Sequence, residues 1–372
     1  MTFDLTRRDW LVGGTALAGS LIASTISSAQ TVPDANLNPT PENPIRAGFN
    51  ENVYGHSLKA KKVMDEAAKT AHLYDFFSQR KLNQVISKME DLPSDHIAIS
   101  NGSTPFLERS VFACAIQGGK VLSPDPTYGS VPGTAKMLGL EVIKVPVGDD
   151  MGISLDAMRS AMTDDVKLVY LCNPNNPIPS IIEKNALTDF CIEMSKRAIV
   201  LVDEAYYEYV DNSDFQSMKG LVTEHKNIIV CRTASKIHGF AGVRIGFAFA
   251  HPDTMRLITA PFNLSLSNVA VVGAVESYQD TEYQTFIKQK NRESMDILEK
   301  MFKELNFEYV KSNSNFAFFN AGRPSTEVSA ALKKHGIISG RPFPPFTNWV
   351  RMSTVKPEEM QYVVDAYHKK FG

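Results

Sequence analysis

Only four cysteines occur in 372 residues, Cys114, Cys172, Cys191 and Cys231, with no C-x-x-C pair and no histidine at metal-ligand spacing. That excludes a disulfide-stapled scaffold and gives no sign of a metal site; each thiol sits in an apolar run and reads as core. An excess of one charge is also lacking: 39 Lys and Arg stand against 41 Asp and Glu, for a formal net charge of -2. A chain without a basic field has no hold on polyanions, so nucleic acid is not an expected partner. No internal repeat, low-complexity block or charge run is present, which excludes solenoids and tails. What remains is an ordinary globular composition, 43% hydrophobic and 22% charged, in a chain too long for one core.

The first segment departs from this average. Arg7-Arg8 precedes an uncharged stretch, residues 10–33, rich in Ala, Gly, Ser, Leu and Ile, and Ser27-Ser28-Ala29 offers the small residues that a signal peptidase needs. The segment is similar to the bacterial twin-arginine export signal. Residues 1–29 are therefore expected to be a signal peptide cleaved after Ala29, the mature protein periplasmic and without stable membrane insertion. Residues 30–44, rich in Pro and Asn, read as an extended arm.

From Ile45 onward, apolar runs bounded by turn residues alternate with helical patterns, the rhythm of a mostly parallel sheet covered on both faces. Strands are expected at 97–100, 120–123, 141–145, 168–171, 199–202, 228–232 and 246–250, making one seven-stranded sheet. Helical spacing covers 104–116, 155–162 and 181–197. From Ser267 a helical pattern runs through Lys303, followed by short strands near 315–319 and 350–353. The expected division is 45–70 as the N-terminal part of a smaller α+β domain, 71–266 as the large domain, and 267–372 as a linking helix and the rest of the smaller domain.

Four features fall at strand ends. Asn173-Pro174-Asn175-Asn176-Pro177 follows the fourth strand, and Asp203-Glu204-Ala205-Tyr206 ends an aliphatic fifth. A carboxylate at the end of a buried strand is costly without a cationic partner. Lys236 stands just past the sixth strand among small and apolar neighbours, where desolvation lowers an amine's pKa and frees it for Schiff-base formation. Thr233, Ser235 and Arg244 can converge on one phosphate, and Asn101-Gly102-Ser103-Thr104 opens a helix whose free N–H groups suit an anion.

With Asn50-Glu51-Asn52-Val53-Tyr54-Gly55, Pro126-Thr127-Tyr128, Ser314-Asn315-Phe316 and Val350-Arg351-Met352-Ser353, these segments resemble the fold-type-I pyridoxal-phosphate aminotransferases, in their histidinol-phosphate aminotransferase-like branch. The resemblance spans residues 45–371. It implies an α/β transferase fold with pyridoxal 5'-phosphate as cofactor, and Lys236 as its Schiff-base lysine and the acid and base at the substrate carbon. It implies that Asp203 pairs with the ring nitrogen, that Tyr206 and Asn173 bond the ring's phenolic oxygen, and that Tyr128 stacks on the ring. Gly102, Ser103, Thr233, Ser235 and Arg244 would cradle the phosphate, completed by Tyr74 from the partner subunit of a homodimer. Arg351 and Arg341 would grip an anionic substrate group, with Tyr54 beside them. The implied reaction moves an amino group from a small-molecule amino donor, an amino acid or a histidinol phosphate-like amine, to a 2-oxo acid acceptor. A decarboxylase of the threonine-phosphate type and a non-catalytic exported binding protein are the alternatives on the same residues. Three positions depart from the family pattern: Pro177-Ile178-Pro179 lacks the usual glycine, Tyr74-Asp75-Phe76 lacks the usual proline, and His238 replaces an apolar residue and reads as packed core.

Overall fold

The structure, a computed structural model, describes residues 33–259 and 265–372. The expected export signal and its expected cleavage point lie outside the described residues. The elements run β1 (Ile45–Ala47), α1 (Leu58–Ala68), α2 (Phe76–Glu90), β2 (Ile97–Ser100), α3 (Thr104–Ile116), β3 (Lys120–Asp125), α4 (Ser130–Met137), β4 (Val142–Pro146), α5 (Leu155–Ser160), β5 (Val166–Cys172), α6 (Lys184–Ser195), β6 (Ile199–Asp203), β7 (Ile228–Thr233), β8 (Gly246–Ala250) and α7 (Pro252–Thr259). There follow α8 (Asn268–Gln279), α9 (Thr281–Glu304), β9 (Tyr309–Val310), β10 (Phe316–Asn320), α10 (Ser325–Lys333), β11 (Ile337–Ser339), β12 (Trp349–Ser353) and α11 (Pro357–Phe371).

All seven expected strands form one sheet, ordered β2-β8-β7-β6-β5-β3-β4, in which β8 alone runs against its neighbours. Its central strands are mainly apolar because both faces are covered. Leu122, Val169, Val200 and Phe247 meet α1, α2, α6 and α8 on one face; Val121, Leu168 and Leu201 meet α3, α4 and α7 on the other. The helical pattern after Ser267 is two helices, parted at Asp280, whose ψ of 70° is not helical. Helix α8 is apolar on nearly every side and packs beside α1 into the sheet's core through Ala270, Val271, Ala274 and Val275. Helices α1 and α8 thus both pack into the core of the seven-stranded sheet. An antiparallel sheet β12-β10-β9, the parallel pair β1-β11 and helices α9 to α11 enclose a second core of Leu298, Phe302, Phe319, Leu332 and Val363.

The described part of the arm is tied to the start of α11. Lys356 Nζ donates to the carbonyls of Pro33 and Asp34 at 2.6 and 2.7 Å, and Glu359 Oε1 accepts from Asn36 N at 2.8 Å. Among the described residues no helix is long and apolar enough to cross a membrane.

Candidate active site

The carboxyl ends of β2, β3, β5, β6 and β7 open on one cavity of about 880 Å³, the end of a parallel sheet at which ligands bind. Asp203, the last residue of β6, faces it from beneath. Its Oδ2 has the Tyr170 hydroxyl at 3.5 Å, while its Oδ1 is buried with no hydrogen-bond partner among the described residues. Burial pushes this carboxyl up to about 7, against the pull of the Ala205 N–H and Lys236. An orphaned carboxylate oxygen in a closed floor is a receptor for a cation, and the protonated nitrogen of the expected cofactor ring fits it.

Lys236 lines the same cavity. Its amine donates to the Asn50 carbonyl at 3.3 Å and stands 5.3 Å from the centre of the Tyr206 ring. Burial brings it down to about 8, helped by Arg351 and opposed by Asp203. The Tyr206 hydroxyl accepts from Asn50 Nδ2 at 3.0 Å and from Asn176 Nδ2 at 3.2 Å. With both acceptor positions used, its own proton is free to point into the cavity.

Arg244 lines the cavity beside Ser235. Its Nη1 donates to Ser235 Oγ at 3.0 Å and Ala241 O at 2.9 Å, and its Nη2 to Asn101 O at 3.2 Å. Thr233 Oγ1 donates to Ser235 Oγ at 2.9 Å, and Ser103 opens α3 on the same wall. The approach requires glycine twice: a Cβ on Gly102, at φ +87°, would run into the Arg244 guanidinium, and one on Gly246 into the Gly102 backbone. Arg244 itself sits at φ 73°, a strained backbone for a long side chain and one typical of functional sites.

Arg351 and Arg341 face the cavity from the smaller domain. Arg351 is held by Asn176 Oδ1 at 2.7 Å and Gly48 O at 2.6 Å, and its Nε is buried without a partner. Burial lowers its pKa, and Arg341 lowers it further. Two cations facing one space without a carboxylate between them make a receptor for an anion. Tyr128 also lines the cavity, 39% exposed.

Three expected residues stand elsewhere. Asn173 is buried but does not line the cavity: its Oδ1 accepts from Ile182 N at 3.0 Å, which turns the side chain into the loop. Asn176 lines the cavity instead and donates to the Tyr206 hydroxyl. Tyr54 is not beside the arginines; its ring packs edge-on against Phe286, centroids 5.3 Å apart, near Ile287 and Tyr209. Tyr74 lies outside this chain's cavity and is 90% exposed. Sequence reasoning missed Asn50, whose φ of 54° lets one residue present its carbonyl to Lys236 and its amide to Tyr206. The signal lay in the Asn50-Glu51-Asn52 motif, where an asparagine in a turn suits a left-handed backbone. Ile178, in the loop without its usual glycine, is fully buried against Phe318, Phe343 and Trp349. His238 is buried away from the cavity.

Residues 45–366 match the model of the family described as aminotransferase class I and II. A histidinol-phosphate aminotransferase of Symbiobacterium thermophilum is 31% identical over 331 residues, covering 88% of this chain and 91% of that protein. A crystal structure of a protein from Erwinia carotovora atroseptica, 31% identical, superposes with a TM-score of 0.87 over 90% of this chain and 99% of its own. The histidinol-phosphate aminotransferase of Sinorhizobium meliloti, crystallised with pyridoxal-5'-phosphate, is 23% identical and shares the fold, with a TM-score of 0.79 over 87% of this chain and 90% of its own.

Proposed function

The chain belongs to the aminotransferase class I and II family, and on that premise we propose that it moves an amino group from an amino acid, or a histidinol phosphate-like amine, to a 2-oxo acid, with Lys236 holding the cofactor covalently. The cofactor is pyridoxal 5'-phosphate. The observation that carries the reading is one cavity holding both a buried carboxylate with an unpartnered oxygen, Asp203, and an amine lowered by burial, Lys236. When bound, the cofactor supplies an electron-accepting ring that takes up the bonding pair freed at the substrate's Cα.

The protein's own groups do the rest. Asp203 pairs with the ring nitrogen, and Arg244 with Ser235, Thr233 and Ser103 holds the phosphate. Lys236, near 8, moves a proton at Cα without strong base or strong acid. Tyr206, its lone pairs taken by Asn50 and Asn176, donates to the ring oxygen. Arg351 takes the substrate's anionic group, and the hydrogen bond from its Nη1 to Asn176 ties substrate binding to the position of Tyr206.

A screen of amino donors and 2-oxo acids on the protein lacking its first 29 residues tests the reading; carbon dioxide release with no amino transfer would sink it in favour of decarboxylation. Arg351→Ala is expected to raise KM for anionic substrates at least tenfold, because a lost charge-assisted pair costs about 1.5 to 3 kcal/mol. An unchanged KM would remove Arg351 from the substrate site. The active unit is a homodimer in this reading, with the exposed Tyr74 serving the second copy's phosphate site. The protein works in the periplasm in this reading, on the strength of Arg7-Arg8 and the uncharged stretch behind them. A reporter fused to residues 1–30 should stay in the cytoplasm once both arginines become lysines; export at the parental level would refute the assigned route.

A further inference from the structure

Two residues beyond Lys236 and two beyond Tyr206 lie His238 and Glu208, which are 1% and 6% exposed and face away from the cavity. His238 Nε2 is 3.5 Å from Glu208 Oε1, and its Nδ1 is 2.9 Å from Ser277 Oγ on α8. The imidazole stacks on Tyr278, centroids 3.9 Å apart. Among the described residues, neither Glu208 oxygen nor His238 Nε2 has a hydrogen-bond partner at ordinary distance. The nearby cation, Arg232, is taken by Glu90 at 2.8 Å and Glu204 at 3.0 Å. When the Ser277 hydroxyl donates to Nδ1, the ring's hydrogen is on Nε2, the nitrogen that lies 3.5 Å from Glu208 Oε1.

Both partners sit in tight turns that begin at site residues. Gly239 N closes on Lys236 O at 3.0 Å around His238, and Tyr209 N closes on Tyr206 O at 3.0 Å around Glu208. The 3.5 Å contact between the two side chains therefore sets the two turns against each other, and α8 holds the pair to the large core. We propose that His238 and Glu208 are positioning residues, which pin the Lys236 turn to the Tyr206 turn so that amine and phenol keep their separation across the cofactor's site. Stacking alone does not require a histidine, since phenylalanine would stack on Tyr278 as well. The imidazole adds the Nε2–H.

The inference rests on Lys236 as the attachment amine. A Lys236→Ala protein that borohydride still links to the cofactor would overturn both readings, an outcome no change at His238 can produce. Four full-length holoenzymes are compared: the parent, His238→Phe, His238→Gln, and His238→Phe combined with Glu208→Leu. For each, the cofactor Kd, kcat, KM for the amino donor and the Tm of the cofactor-stripped form are measured. His238→Phe is expected to raise the cofactor Kd and to lower kcat, each at least tenfold, with KM within threefold of the parent. His238→Gln, which returns an N–H at about the same reach, brings both within threefold. The double variant leaves no buried carboxylate unpaired, so its stripped form melts at or above the parental temperature, yet its kcat stays at least tenfold down. A double variant with parental kcat and cofactor Kd would assign the pair to stability alone and overturn the proposal. So would a His238→Gln protein as impaired as His238→Phe. Should His238→Phe fail to fold, the double variant and His238→Gln decide on the same limits.

Discussion

Lys236→Ala is expected to cut the amino-transfer rate about 10³-fold or more and to abolish the visible absorbance band of the lysine-bound cofactor, while the cofactor still binds. Positioned acid–base groups contribute about 10² to 10⁴ in rate, and no other group in the cavity can take over. Tyr206 is pushed up by burial, as is the Cys172 thiol, so neither yields a base near neutral pH. Asp203 lies in the floor, and its carboxylate is needed there. Arg244, Ser235 and Asp203 are untouched by the change, so the phosphate and ring keep their partners and the cofactor Kd should move far less than the rate. Absorbance, equilibrium dialysis and a single-turnover assay separate these effects. A rate within tenfold of the parent would show that Lys236 is not the proton-moving group.

The seven strands were legible because a sheet buried on both faces needs unbroken aliphatic runs, and Ile199–Asp203 reads so clearly that its terminal carboxylate stands out. The site residues that close a strand, Asp203, Thr233 and, just beyond, Lys236, were legible for the same reason: strand direction fixes which end they occupy. Side chains in loops were not. Asn173 and Asn176 are the same residue type three apart, and only the partner of Asn173, the Ile182 backbone nine residues on, decides which of them turns inward. Tyr54 was placed by its motif, yet its ring is drawn to Phe286 on α9, a contact no local pattern announces. The break at Asp280 was hidden because α8 and α9 both continue helical spacing; their division follows from packing, one into the large core and the other into the smaller. His238, read as packed core, is buried, but its 3.5 Å approach to Glu208, 30 residues away in sequence, becomes visible only in three dimensions.

Asp203→Asn is expected to lower kcat by about 10³-fold and to change how the cofactor-free protein responds to pH. A unit-charge pair about 4 Å apart at an effective dielectric near 20 is worth about 4 kcal/mol, roughly three tenfold steps in holding the ring nitrogen protonated. Without the cofactor the same carboxylate is a liability. Its pKa is about 7 in the folded state against about 3.9 in an unfolded chain, so between those values the folded protein holds a proton that the unfolded chain has released. Stability from this group is therefore fully present below about pH 4 and falls as pH rises toward 7, by at most about 1.4 kcal/mol per pH unit. Asparagine cannot ionise, so the variant's stripped form should lack that slope. Binding the cofactor places a cation against the carboxylate and removes the penalty, so in the parent the Tm gain on cofactor binding should widen from pH 5 to pH 8. In the variant the gain should stay flat. Melting curves of stripped and loaded protein across that range test the assignment: a variant that keeps the parental slope would mean the buried proton sits on another group, and the ring nitrogen would have lost its partner.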